Sequence, residues 1–214
     1  MVNDGIIEDK GPQRIEALSD GIFAIAMTIL VLSFEVIFDP ERSYSNEALV
    51  AMLSGLLPDL IYYVMSFMIL GIFWIQHHNQ FKFIKKSNAS LILINIVWLM
   101  FITLIPFTTA IVGDHHNTLI AALLFEVNLL LAGMFFALNW IYATSGKRLV
   151  QQALDDRMIK WYRKRSLIIP VWSILAIVIS LFDPGLGTTV YFTVPVVLYV
   201  YVRKTEKYYR RSIV

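Results

Sequence analysis

The strongest constraint on the fold is a series of long apolar segments. An α-helix needs ~20 residues to cross the ~30 Å of hydrocarbon in a bilayer. Six segments approach or exceed that length: 15–38, 48–78, 88–112, 118–145, 166–183 and 187–203. Only 16% of the 214 residues are charged, whereas soluble domains carry about 25%. We therefore expect an all-α integral membrane protein in which residues 1–214 form a single domain of six transmembrane helices.

Basic residues indicate how these helices are oriented. Of the 18 Lys and Arg residues, all but Arg42 lie in the N-terminal segment, the 82–86 loop, the 147–165 loop or the tail that starts at Arg203. The positive-inside rule places these regions on the cytoplasmic side. Six helices then put both termini in the cytoplasm, with the protein in the cell membrane. We expect 147–165 to be a basic amphipathic helix on that surface, facing lipid headgroups or protein; nucleic acid is not an expected partner.

The first apolar segment, RIEALSDGIFAIAMTILVL (residues 14–32), is polar in its first two turns and aliphatic afterwards. At ~100° per residue, Ile25, Ile29 and Leu32 form one apolar stripe, with Thr28 at its border. Such a stripe is, in most membrane helices, a lipid-facing or packing surface. Periodicity alone therefore leaves the role of the stripe open.

Arg14, Ser19 and Asp20 lie away from this stripe, and polar groups at membrane depth are costly without partners. Arg14 and Asp20 are about 240° apart around the helix, so they cannot pair with each other. Their partners must come from another helix or another subunit. Candidate donors and acceptors on the second and third spans are Trp74, His77, His78, Asn95 and Trp98; Asn139 and Trp140 on the fourth span extend the set.

Metal and enzyme chemistry are not expected. The chain has no cysteine, and the adjacent His77 and His78 point about 100° apart on a helix, so they cannot readily bind one metal. No HExxH, GxSxG or Gly-rich phosphate loop is present. We therefore expect no metal site, no cofactor and no catalytic residue.

The opening of the first helix resembles the signature of the transmembrane protein 175 family. The family pattern is Arg, three residues, Phe, Ser and Asp; here it reads Arg14, three residues, Leu18, Ser19 and Asp20. Leu18 replaces the usual Phe and keeps an apolar side chain. The WxxHH element from Trp74 to His78 and a polar-aromatic third helix extend the resemblance along the chain.

The resemblance implies a potassium-selective cation channel of the prokaryotic type, with one six-helix unit per chain. Such a channel is a homotetramer whose first helices line the pore, with K⁺ as the permeant ion. Ile25 would form the narrowest ring, followed outward by Ile29 and Leu32, with Thr28 hydroxyls beside it. The sequence has no TVGYG-like loop, so an apolar constriction would stand in place of a carbonyl filter.

A proton-coupled secondary transporter, or a proton-permeable carrier, is the alternative. In it Asp20, the histidines and Glu126 would bind and release protons during turnover. Most transporter folds place Gly- or Pro-broken central helices in paired halves. The sequence lacks that pairing, which favours the channel.

Overall fold

Helices account for most of the chain. The computed structural model describes residues 11–33 and 45–210, and within them the α-helices are α1 (Gly11–Ile29), α2 (Asn46–Gly55), α3 (Leu57–Phe81), α4 (Ala89–Asp114), α5 (Leu119–Thr144), α6 (Asp156–Ser166), α7 (Ile168–Ser180), α8 (Pro184–Thr189) and α9 (Val194–Arg210). Short 3₁₀ turns follow α1, α5 and α8. The all-α prediction is confirmed. The predicted end of the first span, beyond Ser33, and Arg42 lie outside the described residues.

Five segments of the described chain are long and apolar enough to cross a membrane: Gly11–Leu32, Leu57–Phe81, Ala89–Asp114, Leu119–Lys147 and Pro184–Arg203. The predicted span 166–183 contains α7, whose 13 residues extend only about 20 Å. It ends early because Asp183 caps a new helix, accepting from the Leu186 N–H at 3.0 Å, and Pro184 occupies the first turn of that helix.

The long predicted span 48–78 is two helices rather than one. The break falls at Leu56, between α2 and α3. Pro58 has no N–H to donate to the carbonyl of Ser54, four residues earlier, so the α-helical hydrogen bonding is interrupted there. None of the α2 residues is buried.

The predicted amphipathic helix over 147–165 is also shorter than expected, since α6 starts only at Asp156. Gly146 and Lys147 both have positive φ, 61° and 51°, and this left-handed turn reverses the chain. After it, Leu149 and Leu154 are buried against protein. The apolar face of the segment therefore completes a core rather than facing lipid.

Two apolar clusters hold the helices together. In the larger one the rings of Phe23, Phe73, Trp98 and Phe136 from α1, α3, α4 and α5 meet; the centroids of Trp98 and Phe136 are 5.4 Å apart. The smaller cluster lies where the 82–88 and 148–155 segments pair. There the Lys85 N–H donates to the Leu149 carbonyl at 2.8 Å. The two basic loops consequently lie at the same end of the bundle.

The contact between α5 and α7 is a close backbone approach. A Cβ on Gly133 would lie 2.6 Å from Cδ and 3.1 Å from the backbone N of Pro170. Because one of these neighbours is backbone, it cannot rotate aside. Glycine is required here for α7 to pack on α5.

Replacing Gly133 should therefore destabilise the protein. For Gly133→Ala we expect a loss of about 1–3 kcal/mol, typical of overpacking, measured as a lower thermal-unfolding midpoint in detergent. Gly55→Ala is the matched control, because nothing lies within 4 Å of a Cβ there. Equal midpoints for the two variants would contradict the packing argument.

Candidate functional site

Ser19 is the polar residue on the buried face of α1. Ile15, Ser19 and Phe23 follow one another at four-residue intervals, and Ser19 has no exposed surface. Its hydroxyl donates to the Ile15 carbonyl at 2.8 Å and accepts from Asn95 Nδ2 at 3.3 Å. His77 Nε2 lies 3.4 Å from the same oxygen. These contacts attach α1 to α3 and α4.

Asn95 is the centre of these contacts. Its Oδ1 accepts from Asn139 Nδ2 at 3.0 Å and lies 3.2 Å from His77 Nε2. All the distances agree with donor–acceptor pairing when His77 carries its proton on Nε2. One side chain thus joins α1, α3, α4 and α5. We call Ser19, His77, Asn95 and Asn139 the four-helix network.

Aromatic rings enclose the imidazole of the network. His77 stacks on Phe81 at 4.1 Å and on Trp98 at 4.9 Å between ring centroids. The indole N–H of Trp98 is buried and has no acceptor among the described residues. Trp98 therefore acts by packing rather than through a hydrogen bond.

A second pair of contacts joins α1 to α3 at the edge of the network. The Trp74 indole N–H donates to Asp20 Oδ1 at 2.8 Å, and His78 Nδ1 lies 3.0 Å from Glu16 Oε1. Glu16 was not among the candidates from the sequence. The spacing of the residues could have indicated it. Glu16 and Asp20 are four residues apart, as are Trp74 and His78, so two antiparallel helices can pair Asp20 with Trp74 and Glu16 with His78.

Arg14 and Asp20 are exposed in the single chain. Asp20 still has its indole donor, whereas Arg14 has no hydrogen bond or ion pair within 11–33 and 45–210. The structure thus brings Asp20 to Trp74 and leaves Arg14 outside the network.

The aliphatic stripe lies opposite the buried face of α1; Ile25 and Ile29 belong to α1, and Leu32 belongs to the 3₁₀ turn that follows it. Exposed fractions are 59% for Ile25, 44% for Ile29 and 75% for Leu32. On the other side, Phe23 and Leu30 are buried in the core. The structure therefore leaves three branched side chains substantially exposed in the single chain.

Thr28 is exposed beside this stripe. Its hydroxyl hydrogen is donated to the Ile25 carbonyl at 2.8 Å, which leaves both lone pairs of the oxygen free to accept. A shallow cavity of about 240 Å³ lies next to the stripe, between α1 and α4, lined by Ile29, Leu32, Thr103, Pro106, Phe107 and Ala110.

Glu126, invoked for the transporter alternative, lies elsewhere. It is fully buried on α5 and accepts from the Ser180 hydroxyl of α7 at 2.5 Å. No hydrogen bond among the described residues links it to the four-helix network.

Asn95 should be needed for stability. Asn95→Ala leaves His77 and Asn139 without their acceptor, which we expect to cost roughly 1–3 kcal/mol, measured as a lower unfolding midpoint in detergent. Asn139→Ala should cost less, and the double variant should lose less than the sum of the single losses. The exposed Asn117→Ala serves as control. Strict additivity would mean that the two amides do not interact.

Sequence comparisons place the chain among known channels. The family model described as endosomal/lysosomal potassium channel TMEM175 matches residues 14–106. A potassium channel of Chamaesiphon minutus is 31% identical over 163 residues, 73% of this chain and 79% of the relative. One from a Chryseobacterium species is 28% identical over 91% of this chain and 95% of the relative. The endosomal/lysosomal proton channel TMEM175 of Danio rerio is 25% identical; 84% of this chain aligns with 35% of that protein.

Solved structures share the fold. The crystal structure of a lysosomal potassium-selective channel TMEM175 homolog from Chamaesiphon minutus has a TM-score of 0.76 and 25% identity, covering 92% of this chain and 98% of the other. A variant of the potassium channel MtTMEM175 has a TM-score of 0.63 over 97% of this chain. The resemblance noted at the start of α1 is confirmed: this chain belongs to the TMEM175 family of potassium channels.

Proposed function

We propose that this chain forms a potassium-permeable channel in the cell membrane, as a homotetramer with α1 around the pore axis. The observation that carries the proposal is the division of α1 into two faces. Ser19 and its partners hold one face against α3 and α4, and the opposite face presents exposed Ile25, Ile29 and Leu32. The bacterial relatives described as potassium channels support the choice of ion.

The proposed orientation rests on the inner loops. The 82–88 and 148–155 segments pair at one end of the bundle, and both adjoin clusters of Lys and Arg. The positive-inside rule makes this end cytoplasmic. Six crossings, with α7 as the short fifth, then place both termini on the cytoplasmic side.

Four copies of the stripe around an axis would form the constriction. Rings of Ile25, Ile29 and Leu32 are narrow and apolar, so water retreats from them, which is how a hydrophobic gate closes. K⁺ sheds its water more easily than Na⁺, which gives such a ring a modest preference for K⁺. The Thr28 hydroxyl donates its hydrogen to the Ile25 carbonyl, so its oxygen adds a polar ligand beside the ring.

A polar substitution in the narrowest ring tests the proposed constriction. We expect Ile25→Asn to raise K⁺ flux into liposomes several-fold and to reduce discrimination against Na⁺, because an amide ring retains water. Ile120→Asn is the matched control: Ile120 is equally apolar and 77% exposed but lies at the start of α5. Absence of K⁺ flux in the unchanged protein, or equal flux in both variants, would overturn the proposal.

The second candidate is a proton-coupled secondary transporter or a proton-permeable carrier; the Danio rerio relative is described as a proton channel, which supports proton permeation but not a carrier cycle. The two functions differ at Asp20. Asp20→Asn keeps an acceptor for the Trp74 indole and removes the ionisable group. A channel should retain K⁺ flux in this variant, whereas a carrier should lose its pH-coupled, saturable flux.

Assembly should depend on the same side chain. Asp20→Ala leaves the Trp74 N–H without its 2.8 Å acceptor at an exposed position that a neighbouring subunit would cover. We expect a smaller particle in detergent by light scattering, while Asp20→Asn and the control Asp114→Ala, at the exposed end of α4, keep the tetramer. If the Asp20→Ala particle kept its full size, Asp20 would not be needed for assembly.

A further inference from the structure

A cavity lies where α5 ends and α6 crosses it. Its volume is about 450 Å³, within the ~300–1,000 Å³ typical of small-molecule sites. The charged side chains that line it are Lys147, Asp156, Lys160 and Arg163. Three cations and one carboxylate give the cavity a net charge of +2.

Lys147 and Asp156 neutralise each other within it. The Lys147 ammonium lies 2.9 Å from Asp156 Oδ1 and donates to the Leu154 carbonyl at 2.8 Å. Lys147 lowers the pKa of the Asp156 carboxyl, chiefly through their hydrogen bond. This pair fixes the turn between α5 and α6 and contributes no net charge.

Lys160 and Arg163 supply the unbalanced charge. They are three residues apart on α6, so they lie on one face of that helix, and both are exposed. Neither side chain has a hydrogen bond or an ion pair within 4 Å among residues 11–33 and 45–210, although Lys160 is close enough to Asp156 to contribute to the lowered pKa of that carboxyl. An Arg fork and a Lys ammonium on one wall are the donors that phosphate oxygens prefer.

The rest of the lining suits an interfacial ligand. Thr144 and Ser145 add hydroxyl oxygens, and Ile141 and Ile159 add apolar surface. These residues stand at the end of the apolar span Leu119–Lys147, the level at which a membrane helix meets headgroups. Basic pockets of this kind beside membrane helices are typical sites for anionic lipid headgroups.

We propose that this cavity binds a phosphate oxyanion, from an anionic lipid headgroup or from free phosphate, through Lys160 and Arg163. Lys160 and Arg163 contact the oxyanion, and the Lys147–Asp156 pair holds the turn that shapes the cavity. The site is separate from the α1 stripe, so its occupancy can be measured without ion flux.

The test is titration of delipidated protein in detergent, read by native mass spectrometry. The probes are short-chain phosphatidylglycerol, short-chain phosphatidylcholine and inorganic phosphate. The site variant is Lys160→Gln/Arg163→Gln. The control, Arg157→Gln/Lys164→Gln, removes one Arg and one Lys from the same helix, but neither residue lines the cavity. Equal unfolding midpoints establish that both variants are folded.

We expect the site variant to weaken phosphatidylglycerol binding by at least about tenfold, with the control unchanged and phosphatidylcholine bound more weakly. If inorganic phosphate alone binds with the same variant dependence, the site takes free phosphate and the proposed chemistry stands. If both variants bound phosphatidylglycerol equally weakly, the effect would come from general surface charge and the proposal would be overturned. Unchanged binding in both variants would also overturn it.

Discussion

Inside a bilayer no water is available for polar side chains, so each must find its partner within the protein. Asn95 provides partners on four helices at once, through Ser19, His77 and Asn139. Because amide and imidazole bonds are directional, the network fixes the rotation of each helix as well as its position. The aromatic stacking of Trp98 on His77 then supports the ring in this placement.

The rotation of α1 has the largest consequence. Ser19 and Ile25 are six residues apart, about 240° around the helix. Turning Ser19 inward therefore turns Ile25 out of the chain, where it is more than half exposed. In the proposed channel, one orientation of α1 produces both the polar contacts and the apolar constriction. A substitution at Asn95 would therefore change the position of the pore-lining side chains, although Asn95 does not contact the pore.

The basic end of the bundle is organised differently, by backbone rather than by side-chain amides. The left-handed turn at Gly146 and Lys147 sends the chain back under α5, and pairing with the 82–88 segment holds it there. This arrangement buries Leu149 and Leu154 and sets α6 across the end of α5. The proposed phosphate cavity results from that crossing.

The sequence alone predicted the all-α membrane class, the two faces of α1 and the family signature, because hydrophobicity and the ~100° helical step are local properties. It did not predict the break at Leu56 or the short α7. It also named the residues that the structure brings together around Asn95. It did not predict that Glu16 meets His78 or that Arg14 stays outside the network. Nor did it predict that the segment after Lys147 turns back into a core. Those outcomes depend on which residues of separate helices come to the same height, and only tertiary packing decides that.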